Sequence, residues 1–186
     1  MRIEKLKRNF EIGVRWVYFP LHPDTPADGL PLKDLFAGRG LDLEAMHDRM
    51  KRLMDSEGLP YGRRTHTYNS RLAQELGKWA DSQPGFEAIH DALYRAYFVH
   101  GRNIGDPEVL VEAAQSAGLP LSGTREVLSE RIFKDAVDAD WEKAHRSGIT
   151  GVPSFVVGGH KLVGTHPYDA LAERLRAAGA RPRSRI

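Results

Sequence analysis

Apolar residues at positions 2–10 (Ile3, Leu6, Phe10) recur at spacings of three and four among Lys and Arg. That is the period of one helix face. No N-cap residue precedes them, so this helix is marginal by itself. The period then changes. Ile12-Gly13-Val14-Arg15-Trp16-Val17-Tyr18-Phe19 is rich in β-branched and aromatic residues and predicts a strand, with Ile12, Val14, Trp16 and Tyr18 on one face. Pro20 and Pro23 end it. Residues 20–40 hold four prolines and three glycines and predict a long irregular loop.

Helical spacing returns at Leu43, Met46, Met50, Leu53 and Met54, closed by Gly58 and Pro60. Residues 60–68 predict a loop. Asn69 caps a helix through about residue 81, with Leu72, Ala73, Leu76, Trp79 and Ala80 on one side. A further helix spans 86–100 and stops at Gly101. Asp106-Pro107-Glu108 supplies a cap, a first-turn proline and a first-turn acid for a helix ending at Gly118. Residues 124–146 predict two helical pieces marked by Val127, Leu128, Ile132, Val137 and Trp141. Pro153-Ser154-Phe155-Val156-Val157, Gly158-Gly159 and Lys161-Leu162-Val163-Gly164 predict a β-hairpin. His166-Pro167 opens a last helix with Leu171, Leu175 and Ala178 inward. Residues 181–186 predict a frayed basic tail. This order places an α/β domain at 1–40 and 149–186 around an α-helical insertion at 41–148.

Length and composition narrow the classes. The 186 residues suit one domain carrying a large insertion. With 27 Lys+Arg against 25 Asp+Glu, net charge +2, neither nucleic acid nor an anionic membrane is an expected partner. No apolar run is long enough to span a bilayer. The charged stretch Met1–Arg8 has no apolar segment behind it, so it does not read as a secretory signal, and the cytoplasm is the expected compartment. Cysteine is absent, which removes disulfides, thiolate metal sites and a cysteine nucleophile from these residues. None of the eight histidines forms His-x-x-x-His or His-Glu-x-x-His, so no metal is expected.

The most informative motif is Gly148-Ile149-Thr150-Gly151-Val152-Pro153-Ser154-Phe155. A proline cannot donate to a sheet ladder and belongs at the start of a strand. Read locally, a trans proline opening the strand is favoured over a cis one. The run Gly-Val-Pro-Ser-Phe-Val-Val, followed by Gly-Gly-His-Lys-Leu-Val-Gly and a terminal helix, resembles the C-terminal half of a thioredoxin fold. The order of elements resembles the DsbA-like family, in which a helical domain interrupts that fold. Phe19-Pro20-Leu21-His22-Pro23 and Asp138-Ala139-Asp140-Trp141 are similar to its FrnE-like branch.

This resemblance implies an α/β, thioredoxin-like fold with an α-helical insertion, and thiol–disulfide oxidoreductase ancestry. It implies that Pro153 is cis. It also implies that Gly151, Val152 and Pro153 shape the substrate-binding site, the Val152 backbone pairing with an extended peptide or thiol substrate. His22 lies on the loop near the implied site edge, although a solvated or core-capping histidine is the commoner role. A homodimer is compatible with the pattern.

The departure from the family is large. Its Cys-x-x-Cys motif joins a first strand to a first helix, and Ile3-Glu4-Lys5-Leu6 resembles the second half of that helix. The first strand is therefore missing, and no catalytic residue is assigned: thiol–disulfide exchange cannot run on these residues. Loss of a strand between 12–19 and 153–157 would leave unpaired ladder groups, each costing about 1–3 kcal/mol if buried. The neighbours close up, a swapped segment fills the gap, or Met1 is an internal methionine of a longer reading frame, the expectation preferred here. Two further readings remain: a kappa-class glutathione transferase or 2-hydroxychromene-2-carboxylate isomerase, which would need glutathione as cofactor, and a non-catalytic peptide-binding module.

Overall fold

The computed structural model describes residues 2–83 and 85–183. Contacts divide the chain into two compact units, Met1–Leu21 with Asp140–Ile186, and His22–Ala139. These division points differ from the expected 40/41 and 148/149. Hydrogen bonds explain the first difference. Asn69 Nδ2 donates to the carbonyls of Pro23 and Thr25, each at 3.0 Å, and Asn103 Nδ2 to that of Ala27 at 2.9 Å. The proline-rich loop is thereby tied to the helical unit. The second division point falls inside a helix, α8 (Lys134–Arg146).

The first unit is built on α1 (Arg2–Asn9), the hairpin of β3 (Ser154–Val157) and β4 (His160–Val163), and α9 (Tyr168–Ala177). Leu6 and Phe10 meet Leu171, Ala172 and Leu175 in its core, with Ile3, Ile12, Phe155, Val157 and Leu162 packed around them. Burying each large side chain contributes about 1.5–3 kcal/mol. The hairpin pairs Ser154 with Val163, Phe155 with Leu162, Val156 with Lys161 and Val157 with His160. Its two-residue turn places Gly158 and Gly159 at φ +55° and +79°, which a side chain would resist.

Residues 12–19 do not form the expected strand. They have the composition of one, but a strand exists only where a neighbour completes its ladder. Among the described residues, no hydrogen bond reaches Gly13, Val14, Arg15 or Val17. Val14, Trp16 and Val17 stand exposed. The basic tail also departs from expectation. Glu11 N–H donates to the Arg181 carbonyl at 2.8 Å and Arg183 N–H to that of Asn9 at 2.9 Å, so the main chain at 181–183 is held; the expected fraying of 184–186 lies outside the described residues.

The second unit contains β1 (Leu30–Pro31), α2 (Leu32–Leu35), α3 (Leu43–Ser56), β2 (His66–Thr67), α4 (Arg71–Asp81), α5 (Ala88–Tyr94), α6 (Pro107–Ser116) and α7 (Leu121–Ser129). The segments expected as loops hold a two-stranded antiparallel pair, Leu30 with Thr67 and Pro31 with His66. Helix α5 continues as a π-helical turn over Arg95–Val99. Ala73, Leu76, Trp79, Ile89, Leu110, Ala114, Val127 and Leu128 form the core. The Glu75 carboxylate is buried among them, bonded by Arg131 through Nε and Nη2 at 2.7 Å each and by Arg71 Nε at 2.6 Å. Burial alone would raise its pKa; the two guanidinium groups outweigh that and hold it below the ordinary value.

Candidate functional site

The Gly151-Val152-Pro153 loop is positioned from both ends. Helix α8 stops in a Schellman motif: Gly148 N–H donates to the His145 carbonyl at 2.8 Å and Ile149 N–H to that of Ala144 at 3.0 Å. Gly148 sits at φ +60°, the left-handed conformation this motif requires. Lys161 of β4 reaches back to the same helix end, its Nζ 2.8 Å from the Ser147 carbonyl and 2.9 Å from that of Gly148. On the strand side, Ser154 Oγ donates to the Gly151 carbonyl at 2.7 Å. Gly164 N–H donates to the Pro153 carbonyl at 2.8 Å. The Val152–Pro153 peptide bond is cis, where the local sequence favours trans.

The loop thus holds one shape and presents Val152, 52% exposed, and Pro153 to solvent. The hairpin register extends this surface. With a two-residue turn, the Val157–His160 and Phe155–Leu162 pairs face each other through their N–H and C=O groups. The main-chain groups of Ser154 and Val156 therefore point off the free edge of β3. Among the described residues, β3 has β4 alone as a neighbour. Val156 and Val163 are exposed on the outer face. Such an edge is a template for an extended segment.

His22 is described with the other unit. Its carbonyl accepts from Thr25 N–H at 3.3 Å and Thr25 Oγ1 at 2.9 Å, so this residue closes a turn. Sequence reasoning missed Lys161 and Ser154. The partners of Lys161 lie thirteen and fourteen residues away, which no local pattern signals; the Ser154 contact spans three residues and was within local reach. No three His, Asp or Glu side chains among the described residues are arranged to hold a metal ion.

A hairpin entered through a cis proline and backed by a terminal helix defines an α/β protein of the thioredoxin-like class. Residues 1–176 match the model of the DSBA-like thioredoxin domain, and the chain belongs to that family. It resembles the crystal structure of the probable DsbA oxidoreductase SCO1869 from Streptomyces coelicolor, 32% identical at TM-score 0.86, over 100% of this chain and 85% of that one. A 2-hydroxychromene-2-carboxylate isomerase structure, 19% identical at TM-score 0.72 over 96% of this chain and 85% of that one, shares the fold. Two curated relatives match in part. Uncharacterized protein YwbO of Bacillus subtilis (strain 168) is 26% identical over 84 residues, 45% of this chain and 42% of that protein. The Na(+)/H(+) antiporter NhaA 3 of Salinispora tropica is 29% identical over 120 residues, 64% of this chain and 18% of that protein. The chain thus spans less than half the length of either curated relative. Among the described residues, no helix is long and apolar enough to cross a membrane.

Proposed function

We propose that this DsbA-family chain binds an extended peptide along the free edge of β3, led in by Gly151, Val152 and Pro153, and performs no thiol exchange with these residues. The observation that carries the reading is the edge itself. Among the described residues, the outward main-chain groups of Ser154 and Val156 have no partner strand beside an exposed Val152. Main-chain pairing would supply affinity, and the apolar face at Val156 and Val163 would select apolar side chains. The absence of cysteine removes the thiolate that exchange requires. We also propose a cytoplasmic location, on the lack of an apolar segment behind the charged stretch Met1–Arg8, which fractionation of its own cells checks.

A fluorescently labelled peptide of alternating Val and Thr, read by anisotropy, tests the binding. Val156→Pro removes the outward N–H at a position where an edge strand tolerates proline. The reading expects saturable binding to the native protein, about tenfold weaker binding to Val156→Pro, and no turnover of a disulfide substrate. Equal binding by both proteins, or none by the native one, overturns it. Saturable binding of glutathione with no binding of the peptide would favour the isomerase-like alternative.

A further inference from the structure

In the first unit, Arg8, Asn9, Phe10, Tyr168, Arg176, Pro182 and Arg183 line a hollow of about 290 Å³. Three of these are arginines, brought together from α1, α9 and the tail. None of the three has a carboxylate partner among the described residues. Assembling like charges around a concave surface is unfavourable unless something negative sits between them.

A structural role accounts for little of this charge. Arg183 Nε donates to the carbonyls of Lys7 and Phe10, each at 3.1 Å, and so serves the end of α1. Each guanidinium carries five N–H donors, and no other hydrogen bond from these three side chains occurs among the described residues. The Arg176 guanidinium stands 5.5 Å from the centre of the Phe10 ring, within cation–π range. Tyr168 Oη accepts from Asn9 Nδ2 at 2.6 Å, leaving its own O–H to donate elsewhere. Lys5 Nζ stands 4.3 Å from the centre of the Tyr168 ring, outside the lining itself.

We propose that this hollow binds a phosphate monoester. Forked guanidinium donors match the terminal oxygens of a dianion, and three of them offer more charge than a single carboxylate needs. The volume suits a small ligand, and the apolar atoms of Tyr168 and Pro182 provide a seat for a short organic group. The site uses none of the β3 edge, so it stands or falls separately from peptide binding.

Titration calorimetry with glycerol 3-phosphate tests the proposal, with glycerol as the uncharged control. Arg8→Gln and Arg176→Gln are the variants, and Arg49→Gln, exposed on α3, is the charge-matched control. The expected result is saturable binding weakened about tenfold by either variant and unchanged in the control. Arg8 makes no contact that folding needs, so the test survives a failure of Arg176→Gln to fold. Vesicles containing phosphatidic acid separate the two sources of the same group. Binding to vesicles without binding to the soluble ester overturns a small-molecule ligand. Absence of binding to the ester, or binding that both variants retain, overturns the site.

Discussion

Lys161 caps the end of α8: the ammonium group on β4 stands 2.8 Å from the carbonyl of Ser147, the residue that follows the helix, fourteen residues earlier in the chain. One strand therefore both pairs with β3 and fixes the helix end from which the Val152–Pro153 loop departs. A cation is favoured at that end by the partial negative charge of the helix carbonyls. Lys161→Met is expected to lower stability by about 0.5–1 kcal/mol. Gly148→Ala, which places a side chain at φ +60°, is expected to cost about 1 kcal/mol or more. Urea unfolding of the singles and the double variant checks both. The two sites touch, since a Cβ at Gly148 would lie 3.1 Å from Lys161 Nζ, so their effects should not add.

Glu75 gives the helical unit a pH dependence. Its folded pKa lies below 4.5, so its contribution is fully present above that pH and disappears as pH falls through the depressed folded value. Glu75→Gln is expected to cost about 2 kcal/mol at neutral pH, at the low side for a buried pair because Arg131 is 41% exposed and can hydrate. The gap between native protein and variant should narrow below pH 4.5. Unfolding curves at neutral and acid pH measure it.

Gly62 and Gly13 form a matched pair of tests. A Cβ at Gly62 would lie 2.0 Å from the Val99 carbonyl oxygen, where the π-helical turn ends. Backbone on both sides leaves nothing soft to yield, so Gly62→Ala is expected to cost about 3 kcal/mol. Gly13 has nothing within 4 Å, so Gly13→Ala should stay within about 0.5 kcal/mol. Thermal unfolding of both variants separates them.

Hydrogen exchange should show the open amides of Gly13, Val14, Arg15 and Val17 directly. The amides of Gly13, Val14, Arg15 and Val17 lack acceptors among the described residues and are expected to exchange like an unstructured peptide. The amides of Leu76 and Leu110, inside buried helices, should be among the slowest. Slow exchange at Val14 and Val17 would mean that a strand has added beside them in solution.

Where a few neighbouring residues decide the outcome, the sequence was legible. Asp106 accepts from Glu108 N–H at 2.9 Å with Pro107 opening α6, as the three residues predict. The cap of α4 falls one residue later than predicted: Ser70 is its N-cap with no side-chain cap bond, while Asn69 Oδ1 accepts from Arg71 N–H at 2.9 Å. The Gly158-Gly159 turn predicts its hairpin to within a residue. The Gly151-Val152-Pro153 loop stands out from its residues, but the lysine and serine that hold it do not. The lysine's partners lie at a helix end remote in the chain, which local reading cannot place; the serine's partner lies three residues back. The strand expected at 12–19 shows the same limit from the other side: its residues favour extension, but among the described residues no strand pairs with them.

The sequence alone determined the period of each segment, the caps and turns that end it, and the absence of any thiol. These depend on side-chain shape and on hydrogen bonds a few residues long. Tertiary structure alone decided that Arg131 reaches Glu75 from 56 residues away. It decided that three arginines from α1, α9 and the tail share one hollow, and that β3 has β4 alone as a neighbour among the described residues. Those relationships depend on the distance between groups remote in the chain, and charge and hydrogen-bond energies are set by that distance rather than by sequence separation.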